Sequence, residues 1–147
     1  MPLSYLMLRA HSDLRWLVLL AGLVSVAIAF LGWKNKSAWT KAARIAGAAY
    51  VGLFDLQFLI GLLLYCIDPV IRTFWESPAD HMKDWNYRFF AIEHITFMVL
   101  ALALAHLGSI LARKATTDEA RYSRLFFFHV GSYILVLAGL PWARMLA

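Results

Sequence analysis

Four apolar runs, each long enough to cross a lipid bilayer, occupy most of this 147-residue chain. They are residues 16–33, 45–67, 95–112 and 125–143. A membrane-spanning helix needs about 20 apolar residues, because each residue adds about 1.5 Å along the helix axis. Backbone polar groups in hydrocarbon must be satisfied within the segment, so each run is expected to be helical. The sequence therefore predicts an all-α membrane protein, a four-helix transmembrane up-down bundle embedded in the lipid bilayer.

The composition agrees with one such bundle. Hydrophobic residues make up 62% of the chain, against about 45–50% in an average soluble domain. The four runs leave no room for a second unit, so residues 1–147 are expected to form a single transmembrane domain. The net charge of +5 lies in the connections between runs, where membrane topology explains it. No nucleic-acid partner is therefore expected.

Charge in the connections predicts how the bundle is oriented. Residues 34–44 carry four basic residues and no acidic one, and residues 113–124 carry four basic and two acidic residues. Residues 68–88 carry three basic and four acidic residues. Short loops rich in Lys and Arg stay in the cytoplasm. Both termini and the middle connection are therefore predicted on the outer side, the periplasm of a Gram-negative cell.

Histidines close to the apolar runs are the first candidates for chemistry. If the first helix starts near Leu3, His11 lies in its outer part, and His94 lies six residues after Arg88 in the third helix. The first and third helices of an up-down bundle are parallel and diagonally opposite. Both imidazoles are then expected at similar depth, one on each face of a flat macrocycle between them. This is the geometry of a six-coordinate b-type haem, so His11 and His94 are predicted as metal ligands.

Two arginines accompany these histidines. Arg15 is four residues after His11 and shares its helix face, and Arg88 lies at the mouth of the third span. Guanidinium groups bind carboxylates in bidentate fashion, and haem carries two propionates that prefer the polar interface. The predicted cofactor-binding residues are therefore His11, Arg15, Arg88 and His94. In the alternative interpretation His11 merely lies at the interface and Arg15 extends towards water.

The other ionisable residues near or within the runs admit more than one role. Asp55, at the middle of the second run, is interpreted as a proton relay, a quinone contact or a neutral acid within the bundle. Glu93 is expected to pair with an arginine. The 12 residues from His94 to His106 turn a helix by about 120° beyond whole turns, so one face cannot easily serve two haems. His106 and His129 are therefore predicted to pack against Ser or backbone carbonyl groups, leaving one haem b.

Four short pieces of the chain resemble a family of small four-span bacterial membrane proteins often labelled cytochrome b-like. The pieces are HSDLRW (residues 11–16), LIGLLLY (59–65), RFFAIEH (88–94) and AGLPW (138–142). The resemblance implies b-type haem, a multi-pass location in the bacterial inner membrane, and other membrane subunits as partners. It also places weight on the two histidines and two arginines already selected.

The leading hypothesis is a b-type haem-binding protein that acts in electron transfer with a respiratory or photosynthetic complex. Such a chain is an electron carrier or complex subunit rather than a stand-alone enzyme, and no catalytic residue is assigned. The alternative is a haem-free accessory or assembly subunit of a membrane electron-transfer complex. A third hypothesis is a quinone-reactive enzyme in which Asp55 or Glu93 accepts protons.

Overall fold

All regular secondary structure is helical in the computed structural model, which describes residues 3–145 of the chain. Residues 1, 2, 146 and 147 lie outside the described part. The helices are α1 (Leu3–Lys34), α2 (Lys41–Ile67), α3 (Pro69–Glu76), α4 (Pro78–His81), α5 (Trp85–Arg88), a π-helical turn (Phe89–Glu93), α6 (His94–Lys114), α7 (Asp118–Ala138) and α8 (Trp142–Met145). The predicted all-α class is confirmed.

Side-chain caps explain where several of these helices begin. Thr40 accepts a hydrogen bond from the Ala43 amide at the start of α2. Thr117 does the same for Ala120 at the start of α7. Such caps satisfy amide groups that have no partner inside the helix. The sequence therefore limits the α1–α2 and α6–α7 connections to a few residues.

Three helices of the described part are long and apolar enough to cross a membrane: Leu3–Lys34, Lys41–Ile67 and the continuous segment Trp85–Lys114. The fourth predicted span is not confirmed. Helix α7 ends at Ala138, although the apolar run continues to residue 143. Pro141 lacks an amide hydrogen and cannot continue the helix. Residues 3–145 are thus all-helical in their regular structure and include three candidate spans, as expected of a multi-pass membrane protein.

The outer faces of these helices are strongly apolar. Leu20 of α1 is 58% exposed and Leu59 of α2 is 57% exposed. Soluble monomers seldom expose contiguous apolar surface on this scale. These faces therefore suit contact with the acyl chains of a bilayer.

The four long helices form a closed arrangement around one core. Helix α1 packs on α2 and α7, and α6 packs on α7 and more loosely on α2. Helices α1 and α6 are therefore diagonal, as the sequence predicts for the first and third spans. The central core is mainly apolar and consists of Val18, Tyr50, Phe54, Ala101, Ala105 and Val136.

The connection between α2 and α6 closes one end of this arrangement. Ile71 and Phe74 of α3 are buried against Ala91 of the π-helical turn. Tyr65 donates a hydrogen bond to the Ala91 carbonyl, and Trp75 donates to the Tyr65 hydroxyl. The middle connection therefore folds as a cap over the bundle end where α1 begins.

Candidate functional site

The two predicted histidine ligands meet beneath this cap. His11 comes from α1 and His94 is the first residue of α6. Their ring centroids are 6.4 Å apart, and the ring planes are inclined by 76°. Both side chains line a cavity of about 410 Å³ between the helices. Diagonal helices thus bring residues 83 positions apart in sequence to facing positions.

The distance between the rings matches two imidazoles bound to one metal ion. A metal–imidazole bond of about 2.0–2.1 Å, with about 1.1 Å from nitrogen to ring centre, places two opposite ring centres about 6.3 Å apart. The observed 6.4 Å agrees with that value. Within residues 3–145, no group of three or more His, Cys, Asp or Glu side chains is arranged to hold a metal ion. A bare ion would therefore lack ligands here, whereas a porphyrin brings its own four nitrogens.

The orientation of His94 leaves one nitrogen for a ligand. Its Nδ1 lies 2.7 Å from the Gly139 carbonyl oxygen. A carbonyl only accepts, so Nδ1 carries the proton and the Nε2 lone pair is available to a metal. The π-helical turn immediately before His94 contributes to this geometry, because its extra residue shifts the helical register. A side chain at Gly139 would place its Cβ 2.9 Å from the Phe97 Cβ, so glycine permits this close approach.

His11 is enclosed but has a polar atom without a partner. Its Nδ1 is buried and meets no hydrogen-bond partner among the described residues. Gly61 of α2 lies so close that a Cβ there would be 2.9 Å from His11 Cε1. The Gln57 amide nitrogen donates to the His11 carbonyl at 2.9 Å, and Gln57 Oε1 is also buried without a partner in the described part. Unsatisfied buried polar atoms are rare in folded proteins, and here they lie beside the cavity.

The two predicted arginines differ in position. Arg15 lines the cavity, and its buried Nε has no partner within residues 3–145. Arg88 is absent from the cavity lining, because its Nε donates to Glu93 Oε1 at 2.6 Å. The expected arginine pairing of Glu93 is therefore confirmed. Arg144 lines the cavity instead and lies 4.3 Å above the Phe90 ring.

Sequence reasoning missed Arg144 and Gly139 because neither belongs to a recognisable ligand pattern. Arg144 follows the helix break at Pro141 and lies beyond the last apolar run. The sequence GLPW, residues 139–142, indicates a helix end here, since Gly and Pro together often terminate a helix. Folding then returns this segment to the His94 end of α6.

The second group of histidines serves packing and a separate polar pair. His129 is fully buried; its Nδ1 lies 2.8 Å from the Ser25 hydroxyl and its Nε2 3.1 Å from the Ala105 carbonyl oxygen. This agrees with the packing role predicted for it. His106 instead pairs with Asp55 at 2.8 Å, where both side chains are about half exposed. The expected Ser or carbonyl partner of His106 is not found in the described part; its carboxylate partner comes from α2.

The donor set and its surroundings fit a haem better than a bare metal ion. Two imidazole rings 6.4 Å apart, a cavity that both line, a glycine against His11 and two cationic side chains lie together. Comparisons of the chain with protein-family models, curated proteins and solved structures found no match. The case for a function therefore rests on the residues of this site.

Proposed function

We propose that this chain is a four-span, up-down membrane protein that binds one b-type haem between His11 and His94. Its function is electron transfer beside other membrane subunits of a respiratory or photosynthetic complex. The observation that carries the proposal is the 6.4 Å separation of the two imidazole rings. The family resemblance of the sequence pieces points to the same chemistry.

Each residue has a definite role in this proposal. His11 and His94 would hold the haem iron through their imidazole nitrogens, and the Gly139 carbonyl holds the His94 ring through its Nδ1 proton. Arg15 and Arg144 place positive charge at the cavity wall, where guanidinium groups would hold propionate carboxylates. When bound, haem supplies reversible one-electron chemistry at its iron. The protein contributes ligands, orientation and exclusion of water.

The fourth span of the proposal is α7. Its Phe127 is 55% exposed and its Ile134 is 59% exposed, so this helix also presents apolar side chains outwards. We place the protein in a bacterial inner membrane with both termini on the periplasmic side, from the charge of the connections. The haem site then lies near the periplasmic surface, within reach of a soluble or membrane-bound electron-transfer partner.

A visible absorption spectrum of the purified protein tests the proposal. We expect a reduced-minus-oxidised difference spectrum of low-spin b-type haem, with one haem per chain. Protein that is fully folded, supplied with haem and devoid of this signal would overturn the proposal. That result would favour the alternative of a haem-free accessory or assembly subunit.

Gln57 is predicted to support the haem through His11. Gln57→Leu removes the amide that joins α2 to the His11 backbone, and outer-shell substitutions of this type weaken metal-site affinity by about 10–100-fold. We expect low-spin haem to persist, with a shifted reduction potential and faster loss to apomyoglobin. Leu56→Ala, at an exposed neighbour on α2, is the matched control. Equal haem loss from both variants and wild type would contradict this role.

The orientation is tested by cysteine labelling. The exposed Cys66 is first replaced by serine, and Asp80→Cys or Lys36→Cys is then introduced separately. A membrane-impermeant maleimide added to intact spheroplasts should label the first variant and spare the second, because basic loops remain cytoplasmic. Inverted vesicles should give the reverse result. Labelling of Lys36→Cys in intact spheroplasts would refute the assigned orientation.

A further inference from the structure

A second cavity, of about 560 Å³, opens between α2 and α6 at the end of the bundle away from the cap. Trp39, Arg44 and Arg113 line its mouth, near the two basic connections. Asp55 and His106 also line it, further along the two helices. At helical rise, Asp55 is about 16 Å from Arg44 along α2. We call this cavity the α2–α6 groove.

The Asp55–His106 pair is the unusual feature of the groove. Its atoms Oδ1 and Nε2 are 2.8 Å apart, yet the side chains are 42% and 44% exposed, respectively. Both residues lie inside helices that qualify as membrane spans. Ionisable groups facing hydrocarbon cost several kcal/mol unless polar atoms complete their hydrogen bonding. Acyl chains provide no such atoms, so the pair requires a polar partner from outside the chain.

Small residues of α2 leave open space along one wall of the groove. Gly47, Ala48 and Gly52 of α2 line it. A Cβ built on Gly52 meets no atom within 4 Å, so glycine at this position leaves open space rather than allowing close packing inside the chain. Helices α2 and α6 also pack less closely than the other neighbouring pairs. A planar ring can therefore enter from the bilayer between them.

The chemistry of the pair restricts the occupant. Asp55 offers a free carboxylate oxygen that accepts, and His106 offers a second ring nitrogen that donates or accepts. A charged ligand would add net charge inside the membrane, which is costly. A neutral, lipid-soluble ring that carries oxygen donors or acceptors avoids this cost and can bond to both side chains. We infer that the α2–α6 groove binds the headgroup of a quinone or quinol, with its oxygens on Asp55 and His106.

This inference is separate from haem binding. His11 and His94 line the first cavity, and neither of them lines the α2–α6 groove. The test uses the full chain in detergent and two probes, a short-tailed ubiquinone and a short-tailed menaquinone. Bound quinone is measured by equilibrium dialysis. Saturable binding of at least one probe, with one site per chain, is expected.

Two variants examine different properties of the groove. Gly52→Leu puts a large side chain where a Cβ meets no atom within 4 Å. Asp55→Leu/His106→Leu removes both polar groups together so that neither is left unpaired. Each should weaken quinone binding at least about tenfold, the effect of one or two lost hydrogen bonds or of steric exclusion. Ala49→Leu places the same leucine side chain at an exposed position of α2 outside the groove. This control should bind like wild type.

The result that overturns the inference is equally specific. The inference is wrong if neither quinone binds saturably to the wild-type protein. It is also wrong if wild type, Gly52→Leu and Ala49→Leu bind quinone with equal affinity. A dimer in detergent that Gly52→Leu converts to monomer, without quinone binding, would instead show a second copy covering the pair. Failure of the haem spectrum would leave the quinone measurement unaffected, so the two proposals fail independently.

Discussion

Replacing either His11 or His94 by alanine should abolish the low-spin b-type absorbance of the purified protein. Each imidazole supplies one of two axial bonds in the proposed site, so its loss leaves a five-coordinate or unbound haem. The two rings lie 6.4 Å apart, and each variant removes one of them. The measurement is the reduced-minus-oxidised spectrum at equal protein concentration, with haem content determined independently.

The control for this experiment is His106→Ala. His106 lines the α2–α6 groove rather than the first cavity, so its loss should leave the spectrum nearly unchanged. A variant lacking His94 that retains wild-type low-spin haem would disprove the axial assignment. The axial assignment would also be disproved if His106→Ala removed the low-spin haem spectrum while His11→Ala retained it.

Gly32→Ala should destabilise the protein far more than the same change at Gly52. A Cβ at Gly32 would overlap the ring of Tyr122, which packs there against α1. Tyr122 is buried, and its hydroxyl is held by the Ala38 carbonyl at 3.0 Å, so the ring cannot retreat freely. Overpacking of this kind costs about 1–3 kcal/mol, and more where the neighbour is fixed.

Gly52 is the matched control, because a methyl group there meets no atom within 4 Å. Alanine is favoured over glycine in helices by about 1 kcal/mol, so Gly52→Ala should be neutral or stabilising. The midpoint of denaturant-induced unfolding in detergent, followed by circular dichroism, compares the two variants. Equal midpoints would show that the Gly32–Tyr122 approach does not constrain the packing of α1 on α7.

Local sequence features were sufficient to identify most of the helices. The apolar spans in α1, α2 and Trp85–Lys114 follow from runs of apolar residues, whose backbone must be paired within each helix. In an up-down order of four helices the first and third are diagonal, which places α1 opposite α6. The approach of His11 to His94 follows from this topology and was predictable without coordinates.

The end of the fourth run was not predictable from hydropathy alone. Residues 125–143 contain no Asp, Glu, Lys or Arg, but α7 stops at Ala138. The break turns the Gly139 carbonyl towards His94 and carries Arg144 to the cavity. Hydropathy measures transfer from water and does not register where a backbone hydrogen bond is lost.

The sequence by itself determined the helical, membrane-compatible class and the pair of histidines that face each other. Only the tertiary structure decided which arginines reach the cavity. Arg88 pairs with Glu93, five residues later in the chain, and does not line the cavity. Arg144 has no acidic residue so near in sequence, and it lines the cavity. It also decided that His106 meets Asp55 across two helices rather than packing as His129 does. Such choices depend on which side chains compete for the same partner in space, and sequence spacing along one helix carries no information about a neighbouring helix.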